Sequence, residues 1–226
     1  MARLDLESLY AHRFDGITTE TKARVWKEIA FFIRQDAARL RGKKNLDSIL
    51  DPACGDGEFL NACVGRASYL CGCDLRPRSK GLDPSIDYHH ATFQNLEIGH
   101  KFSLIWISNL LEHLPDPESV QDFLGACKQR LADDGIIVIM GPNIKYCASD
   151  YWDFADHLLP LSHLTIIEHL AAAKLHLLEC APRFLPYSFR SRLPAHPLLT
   201  RAYLNIPMAW PVLGRQFLVR AAKTSL

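Results

Sequence analysis

A short stretch between two apolar segments carries the residues best suited to hold a ligand. An apolar run over residues 46–50 ends at Asp51, small residues that include Gly55 and Gly57 follow, and a new apolar segment begins at Phe59. Small residues let a ligand approach the backbone closely, and the amino end of a helix attracts negative charge. We therefore predict a strand, a ligand-binding loop and a helix start here.

A second acid lies at the spacing expected for a nucleoside ligand. The apolar run 69–73 ends at Asp74, about 20 residues beyond the loop, where nucleotide-binding folds place the acid that meets the ribose. One carboxylate can accept hydrogen bonds from two neighbouring hydroxyl groups. Together the loop and Asp74 favour a nucleoside-containing ligand.

Alternating strand and helix patterns predict how these residues are positioned. Such alternation implies right-handed crossovers and a parallel sheet, so we predict a Rossmann-like, doubly wound, three-layer α/β fold. Ligands of these sheets bind beyond the carboxyl ends of the strands, which here carry Asp51, Asp74, Phe93, Asn109 and Gly141. The predicted helices cover residues 18–41, 57–64, 117–131 and 162–173, and Gly135 is expected to break the third. The predicted strands cover residues 46–50, 69–73, 86–93, 102–107, 136–140, 175–180 and 216–221.

Length and composition restrict the function classes. The 226 residues suit one domain, which we divide into an N-terminal helical lid (1–45), a core (46–181 and 215–226) and an insertion (182–214). Lys+Arg 26 against Asp+Glu 25 gives a net charge of +1, which provides no general attraction to nucleic acids. The seven cysteines lack zinc-site spacing. With no signal-peptide or membrane-spanning pattern, we expect a cytoplasmic protein.

The insertion is long for a connecting segment, so we expect it to have either a functional or a structural role. It carries six prolines and several arginines. It could cap the substrate, and its arginines suggest an anionic acceptor. It could equally be a structural cap, or its apolar residues could contact a membrane surface peripherally.

The residues around Asp51, Asp74 and Asn109 resemble those of the class I S-adenosylmethionine-dependent methyltransferases, over about residues 47–140. Residues 151–157 and 183–187 resemble a bacterial subgroup often associated with glycan or polysaccharide biosynthesis. The resemblance implies a seven-stranded sheet with its last strand antiparallel. It also implies S-adenosyl-L-methionine as cofactor and S-adenosyl-L-homocysteine as product.

The resemblance also assigns roles along the cofactor. The loop would pass under its methionine part, Asp74 would hold the ribose, Thr92 and Phe93 would flank adenine, and Asn109 would form the floor. Ala53 replaces the usual first glycine, and Thr92 replaces an acid beside adenine. The cofactor-binding residues implied are Asp51, Ala53, Cys54, Gly55, Gly57, Asp74, Leu75, Thr92, Phe93, Asn109 and Leu110.

The loop alone also resembles that of adenine-modifying DNA methyltransferases. Those enzymes carry an Asn/Asp-Pro-Pro-aromatic motif after the fourth strand, where this chain has Asn109-Leu110-Leu111-Glu112. The near-zero net charge also argues against a nucleic-acid substrate.

Transfer of a methyl group to a hydroxyl requires that the hydroxyl lose its proton, a task suited to histidine. We expect His157 to act as base with Asp153 or Asp156 as its orienting acid, although the four-residue spacing of Asp153 and His157 could also mean local pairing on a short helix. His113 is a second catalytic candidate or a packed residue. Tyr151, Arg183 and Tyr187 are expected to bind substrate.

We therefore expect O-methylation of a sugar or another small polar metabolite. The alternative is a non-catalytic protein that binds cofactor or a partner. Glu112 and His113 could in principle bind a metal, but two adjacent residues do not aim at one ion, so no metal site is expected.

Overall fold

The computed structural model describes residues 18–96, 98–187 and 195–225. Their strands form a seven-stranded sheet of order β3-β2-β1-β4-β5-β7-β6. β1 to β5 pair in parallel, whereas β7 is antiparallel to both β5 and β6. The predicted fold, with its antiparallel last strand, is confirmed. The strands are β1 (Ser48–Asp51), β2 (Tyr69–Asp74), β3 (Asp87–His90), β4 (Phe102–Ser108), β5 (Leu131–Pro142), β6 (His176–Ala181) and β7 (Gln216–Ala222).

Helices cover both faces of the sheet and make three layers. Each face has its own buried apolar cluster: α1 and α2 pack on one face and α3 and α5 on the other. The central strands β1 and β4 are buried along almost their whole length, as expected for strands covered on both faces. The helices are α1 (Thr19–Leu40), α2 (Glu58–Cys63), α3 (Pro117–Arg130), α4 (Ile144–Tyr151), α5 (His163–Ala172), α6 (Pro197–Leu204) and α7 (Trp210–Leu213), with 3₁₀ turns at Phe93–Asn95, Leu111–His113 and Pro207–Ala209.

Helix α1 follows the predicted pattern closely. The Thr18 side chain caps it by accepting from the Thr21 N–H, and Gly42 ends it at a φ of +63°, which glycine adopts readily. Near its end, Asp36 accepts from Arg220 of β7 at 2.7 Å, and both side chains are buried. This ion pair ties α1 to the sheet.

Strand β5 differs from its prediction. It begins at Leu131, directly after α3, and contains Gly135, which therefore does not break the helix. Pairing with β4 shifts register between Phe102, opposite Leu131, and Leu104, opposite Ile136. A Cβ on Gly135 would lie 2.7 Å from the Phe102 carbonyl oxygen, so glycine fits this irregular pairing.

The described part of the insertion contains α6 and α7. Arg183 donates from Nε to the Gly214 carbonyl at 2.7 Å and from Nη2 to the Val212 carbonyl at 2.8 Å, which joins the two ends. The Tyr203 hydroxyl donates to the Phe184 carbonyl at 2.5 Å. Residues 188–194 of the insertion and 1–17 of the predicted lid lie outside the described residues.

None of the helices in the described ranges is long and apolar enough to cross a membrane.

Candidate cofactor and acceptor site

A cavity of about 1100 Å³ opens at the carboxyl ends of β1, β2, β4 and β5. Asp51, Asp74, Phe93 and Asn109 line it as predicted, although β3 ends at His90 and Phe93 lies in the 3₁₀ turn that follows. Gly141, the fifth predicted residue, lies within β5 and is not among the lining residues. We call the part formed by residues 51–59, 74–76 and 91–94 the cofactor half. The part formed by residues 112–114, 154–158, 185–187 and 195–203 is the acceptor half.

The loop after β1 is shaped by its own backbone. Cys54 N donates to the Cys73 carbonyl at 3.0 Å, and Gly57 N donates to the Cys54 carbonyl at 2.8 Å. Gly55 and Gly57 have φ of +56° and +83°, and a Cβ on Gly57 would lie 2.1 Å from Leu82 Cδ1. Gly57 thus sets the course of the loop rather than lining the cavity. Ala53 does not have a positive φ, so alanine is tolerated where a glycine is usual.

Asp74 is held against this loop. Its carboxylate accepts from Gly55 N at 2.8 Å and from Arg76 N at 3.0 Å. Backbone donors on both oxygens fix the carboxylate at the wall of the cavity. It remains able to accept ligand hydroxyls, because each carboxylate oxygen has two acceptor positions.

The other predicted cofactor residues also line this region. Leu75, Thr92, Phe93 and Leu110 face the cavity. Asn109 has φ +48°, a left-handed conformation that asparagine tolerates better than most residues, and its N–H donates to the Met140 carbonyl at 2.9 Å. Its strained backbone forms the turn where β4 meets the cavity.

Asp51 is a buried carboxyl with an altered acidity. Burial raises its pKa to about 8, an effect opposed by the hydrogen bond from Ala53 N and reinforced by Asp74 and Glu58. A carboxyl of this kind ionises readily once a cation lies beside it. Burial likewise raises the pKa of the Cys54 and Cys73 thiols, so both stay protonated at neutral pH.

The acceptor half brings together three titratable groups from two segments. The His113 and His157 rings lie with centroids 5.0 Å apart, and Glu112 Oε1 is 3.9 Å from His113 Nε2. His113 Nδ1 contacts the Asp156 carbonyl at 2.8 Å. Since a carbonyl oxygen only accepts, Nδ1 carries a proton, so in the neutral form of the ring Nε2 is the nitrogen with the lone pair.

The structure places the predicted partners of His157 differently. Asp153 is exposed in the turns after α4 and does not line the cavity, so the two residues do not share a short helix. Tyr151 is fully buried beneath the site; its hydroxyl donates to the Leu159 carbonyl and accepts from Leu161 N at 3.1 Å. Its ring packs on His157 at 4.8 Å. Tyr151 thus supports the histidine segment from below.

Only one of the two residues of the insertion that were predicted to bind substrate lies in the cavity. Tyr187 lines the acceptor half and packs against Phe154 at 5.2 Å. Arg183 lies outside this cavity, with its guanidinium over the Tyr146 ring at 5.0 Å and on the two backbone carbonyls described above.

Sequence patterns gave no reason to select two residues that the cavity contains. Trp106 and Gln216 line it although they belong to strands. Trp26 Nε1, Trp106 Nε1 and Gln216 Oε1 are buried and have no hydrogen-bond partner among the described residues. Buried polar atoms normally have partners, so these three atoms are exceptions among the residues that form the cavity. The strand pattern of β4 offered no signal for Trp106, because a buried aromatic is equally typical of a core.

This fold and site define an S-adenosylmethionine-dependent methyltransferase domain. A family described as a methyltransferase domain matches residues 25–178, and the chain belongs to that family. The two departures from the usual motif, Ala53 and Thr92, both lie in a cavity wall that accommodates them.

Relatives and solved structures agree with this family. The ubiquinone biosynthesis O-methyltransferase of Aromatoleum aromaticum is 29% identical over 121 residues, 49% of each chain. Its counterpart from Actinobacillus pleuropneumoniae serotype 5b is 32% identical over 120 residues, 47% of this chain and 48% of that protein. The match thus spans about half the length of these curated relatives.

Two solved structures show the same fold over almost the whole chain. A methyltransferase from Clostridium acetobutylicum has a TM-score of 0.65 at 14% identity, covering 96% of this chain and 99% of that one. The N-methyltransferase NodS of Bradyrhizobium japonicum, in complex with S-adenosyl-L-homocysteine, has a TM-score of 0.62 at 16% identity, covering 95% and 96%. These two structures show that the fold is the same; the glycan-biosynthesis subgroup stays a prediction.

Proposed function

We propose that this chain transfers a methyl group from S-adenosylmethionine to a hydroxyl oxygen of a small-molecule acceptor. The observation that carries the proposal is that one cavity joins the cofactor loop to the Glu112, His113 and His157 group. Both the methyl donor and the groups that can activate a hydroxyl would then meet in one space. A cavity of about 1100 Å³ exceeds the usual size for one ligand, which favours two.

The cofactor half supplies binding and orientation. Asp74 would accept the ribose hydroxyls, and buried Asp51 would ionise beside the positive methionine part. Bound S-adenosylmethionine supplies a sulfonium methyl, whose bond to sulfur breaks as the bond to the acceptor oxygen forms, leaving S-adenosylhomocysteine. The protein residues need only align the acceptor with that methyl.

The acceptor half would remove the hydroxyl proton. In its neutral form His113 would carry the lone pair on Nε2, which lies 3.9 Å from Glu112 Oε1, and a neutral imidazole is a suitable proton acceptor near neutral pH. The oxygen left behind is the nucleophile.

The walls of the acceptor half favour an acceptor with an apolar or planar part. Leu185, Leu199 and Tyr203 line it, and such surfaces bind rings and alkyl groups better than a fully hydroxylated sugar. The relatives' names specify O-methyltransferases, which supports an oxygen acceptor. We therefore place a hydroxylated aromatic compound ahead of the sugar that the sequence suggested.

A methyl-transfer assay tests this proposal. The full chain, with methyl-labelled S-adenosylmethionine, is offered a simple aromatic diol and a monosaccharide, and labelled product is measured for wild type, His113→Gln and the exposed control His176→Gln. We expect faster transfer to the diol and a loss of about 100-fold or more in His113→Gln only, the size typical of acid–base groups. Cofactor binding measured by calorimetry without transfer to either acceptor would instead support a non-catalytic binding protein.

A further inference from the structure

We propose that Glu112, His113 and His157 form a binding site for one divalent metal ion. The sequence predicts no such site, because Glu112 and His113 are neighbours and two adjacent side chains do not surround an ion. The fold adds His157 from a distant segment. One ligand atom from each of the three residues then lies within 4.8 Å of the other two.

The spacing of these atoms suits a shared ion. Metal–ligand bonds to imidazole nitrogen and carboxylate oxygen are about 2.0–2.2 Å long, so two ligand atoms on one ion lie about 3–4 Å apart. Glu112 Oε1 and His113 Nε2 are 3.9 Å apart. Small side-chain rotations would therefore bring all three atoms into bonding distance.

The hydrogen bond of the His113 ring is one that metal-binding histidines make. Its Nδ1–H donates to the Asp156 carbonyl at 2.8 Å, which leaves Nε2 as the nitrogen that faces Glu112. Metal-binding histidines usually donate their other N–H to a carbonyl or carboxylate, which fixes ring orientation. The Asp156 carboxylate, 3.5 Å from Nδ1, reinforces this orientation.

Backbone hydrogen bonds hold the two ligand-bearing segments together. The Glu112 carbonyl accepts from Leu158 N at 2.8 Å and from Leu159 N at 3.1 Å. These bonds tie the segment that follows His157 to the 3₁₀ turn that carries the other two ligands. Glu112 and His157 are also largely buried, 2% and 8% exposed, and a buried carboxylate is stabilised by a nearby positive charge.

The ligand set indicates which kind of ion binds. Two imidazoles and one carboxylate are the set found around Mn²⁺, Fe²⁺ and Zn²⁺, whereas Mg²⁺ and Ca²⁺ prefer oxygen ligands alone. Three protein ligands would leave coordination positions open on the ion, as in catalytic rather than structural sites.

The inference rests on the proposed function for its role in the reaction. An acceptor hydroxyl that enters the coordination shell would become more acidic, its O–H bond would break, and the proton would pass to water. The oxygen would keep the electron pair that forms the new bond to the methyl carbon. In this form of the mechanism the imidazoles are ligands, and the ion rather than a free base activates the acceptor.

Manganese binding provides a test that does not depend on activity. The full chain is titrated with Mn²⁺ and studied by electron paramagnetic resonance, with electron spin echo modulation used to count coordinated nitrogens. We expect one bound ion with two imidazole nitrogens. A second described group, Cys71, Asp87 and His89, contains a single imidazole, so the nitrogen count separates the two locations.

Variants locate the ion. Glu112→Gln and His113→Ala should each weaken Mn²⁺ binding by about tenfold or more, since even outer residues of metal sites contribute that much. His89→Ala and the exposed His176→Ala should leave it unchanged. Circular dichroism and calorimetry with S-adenosylhomocysteine check that the variants fold, and the nitrogen count in wild type holds whether or not they do.

The outcomes separate this inference from the proposed function. No Mn²⁺ binding, a single coordinated nitrogen, or equal affinity in Glu112→Gln would overturn the metal site, even if methyl transfer is observed. A two-nitrogen Mn²⁺ site in a chain that methylates neither acceptor would support the metal site while contradicting the proposed function.

Discussion

In the cofactor half of the cavity the ligand-facing groups are fixed by the backbone, whereas in the acceptor half side chains from distant segments meet. Gly55 N, in the loop between β1 and α2, donates to the Asp74 carboxylate at the end of the neighbouring strand β2. By contrast, His113 precedes β5 in the chain and His157 follows it, and their side chains meet through packing. The first arrangement is insensitive to side-chain identity except where φ or a charge demands one residue, and the second depends on every side chain.

This difference suits a protein that shares its cofactor with a whole class of methyltransferases but acts on an acceptor of its own. A backbone cradle survives sequence change, so it can be shared across distant relatives. An acceptor pocket made of side chains can be altered residue by residue. Substitutions in the two halves should therefore have different effects, which the following experiments measure.

The largest effect is expected in the loop backbone. Gly57→Val should lower the free energy of unfolding by about 4 kcal/mol, from left-handed strain and overpacking against Leu82, and should abolish binding of S-adenosylhomocysteine. Urea unfolding and calorimetry measure the two quantities. Gly125→Ala, in α3 with no atom within 4 Å of its new Cβ, serves as control and should not destabilise. Normal cofactor binding in Gly57→Val would show that the loop is not a rigid cradle.

The buried carboxyl of Asp51 should make the ligand-free protein sensitive to pH. Its pKa of about 8 lies above the unfolded value, so the folded state binds more protons between about pH 4 and pH 8. As the pH rises through that range, the free energy of unfolding should therefore fall by about 1 kcal/mol per pH unit. Asp51→Asn should remove this part of the slope when urea unfolding is compared at pH 5, 6 and 7. An identical slope in both proteins would mean that Asp51 is already ionised.

Loss of one charge in the cofactor half should weaken cofactor binding without unfolding the chain. Asp74→Asn keeps an oxygen that can accept from Gly55 N but loses the charge, and hydrogen bonds to charged groups contribute about 1.5–3 kcal/mol. We expect about a 10- to 100-fold higher Kd for S-adenosylhomocysteine by calorimetry. The exposed helical Asp122→Asn is the matched control. Binding of Mn²⁺ in the acceptor half should be unaffected.

The smallest effect is expected where the insertion is anchored. Arg183→Lys loses the fork that holds the Val212 and Gly214 carbonyls, about 1 kcal/mol of hydrogen bonding. The KM for the acceptor should rise about fivefold while the Kd for cofactor stays constant. Neutral and anionic acceptors should be affected alike, because Arg183 binds backbone carbonyls. A larger loss for the anionic acceptor would restore the substrate-binding role predicted from the sequence.

Most of the fold could be predicted because its signals are local. The apolar run of β4 follows from burial on two faces, and the spacing of apolar residues in α1 follows from burial on one face. The errors arose where local rules compete with pairing. Gly135 is typical of a break, yet it fits an irregular register opposite Phe102, which no short window of sequence reveals.

The acceptor half shows the same limit more strongly. The spacing of Asp153 and His157 suggested a helical pair, but α4 ends at Tyr151 and leaves Asp153 exposed. Asp156 lies beside His113 instead. Arg183 and Tyr151 were predicted to touch substrate and instead anchor backbone, because their polar atoms found carbonyl partners within the fold.

The sequence by itself determined the doubly wound sheet, the loop after β1 and the acid after β2, since strand order, tight turns and a fixed offset are all written in consecutive residues. Only the tertiary structure decided that Glu112, His113 and His157 meet. Their contact depends on the chain returning after β5 and on two backbone bonds to the Glu112 carbonyl. A site assembled by long-range packing leaves no periodic pattern in the sequence.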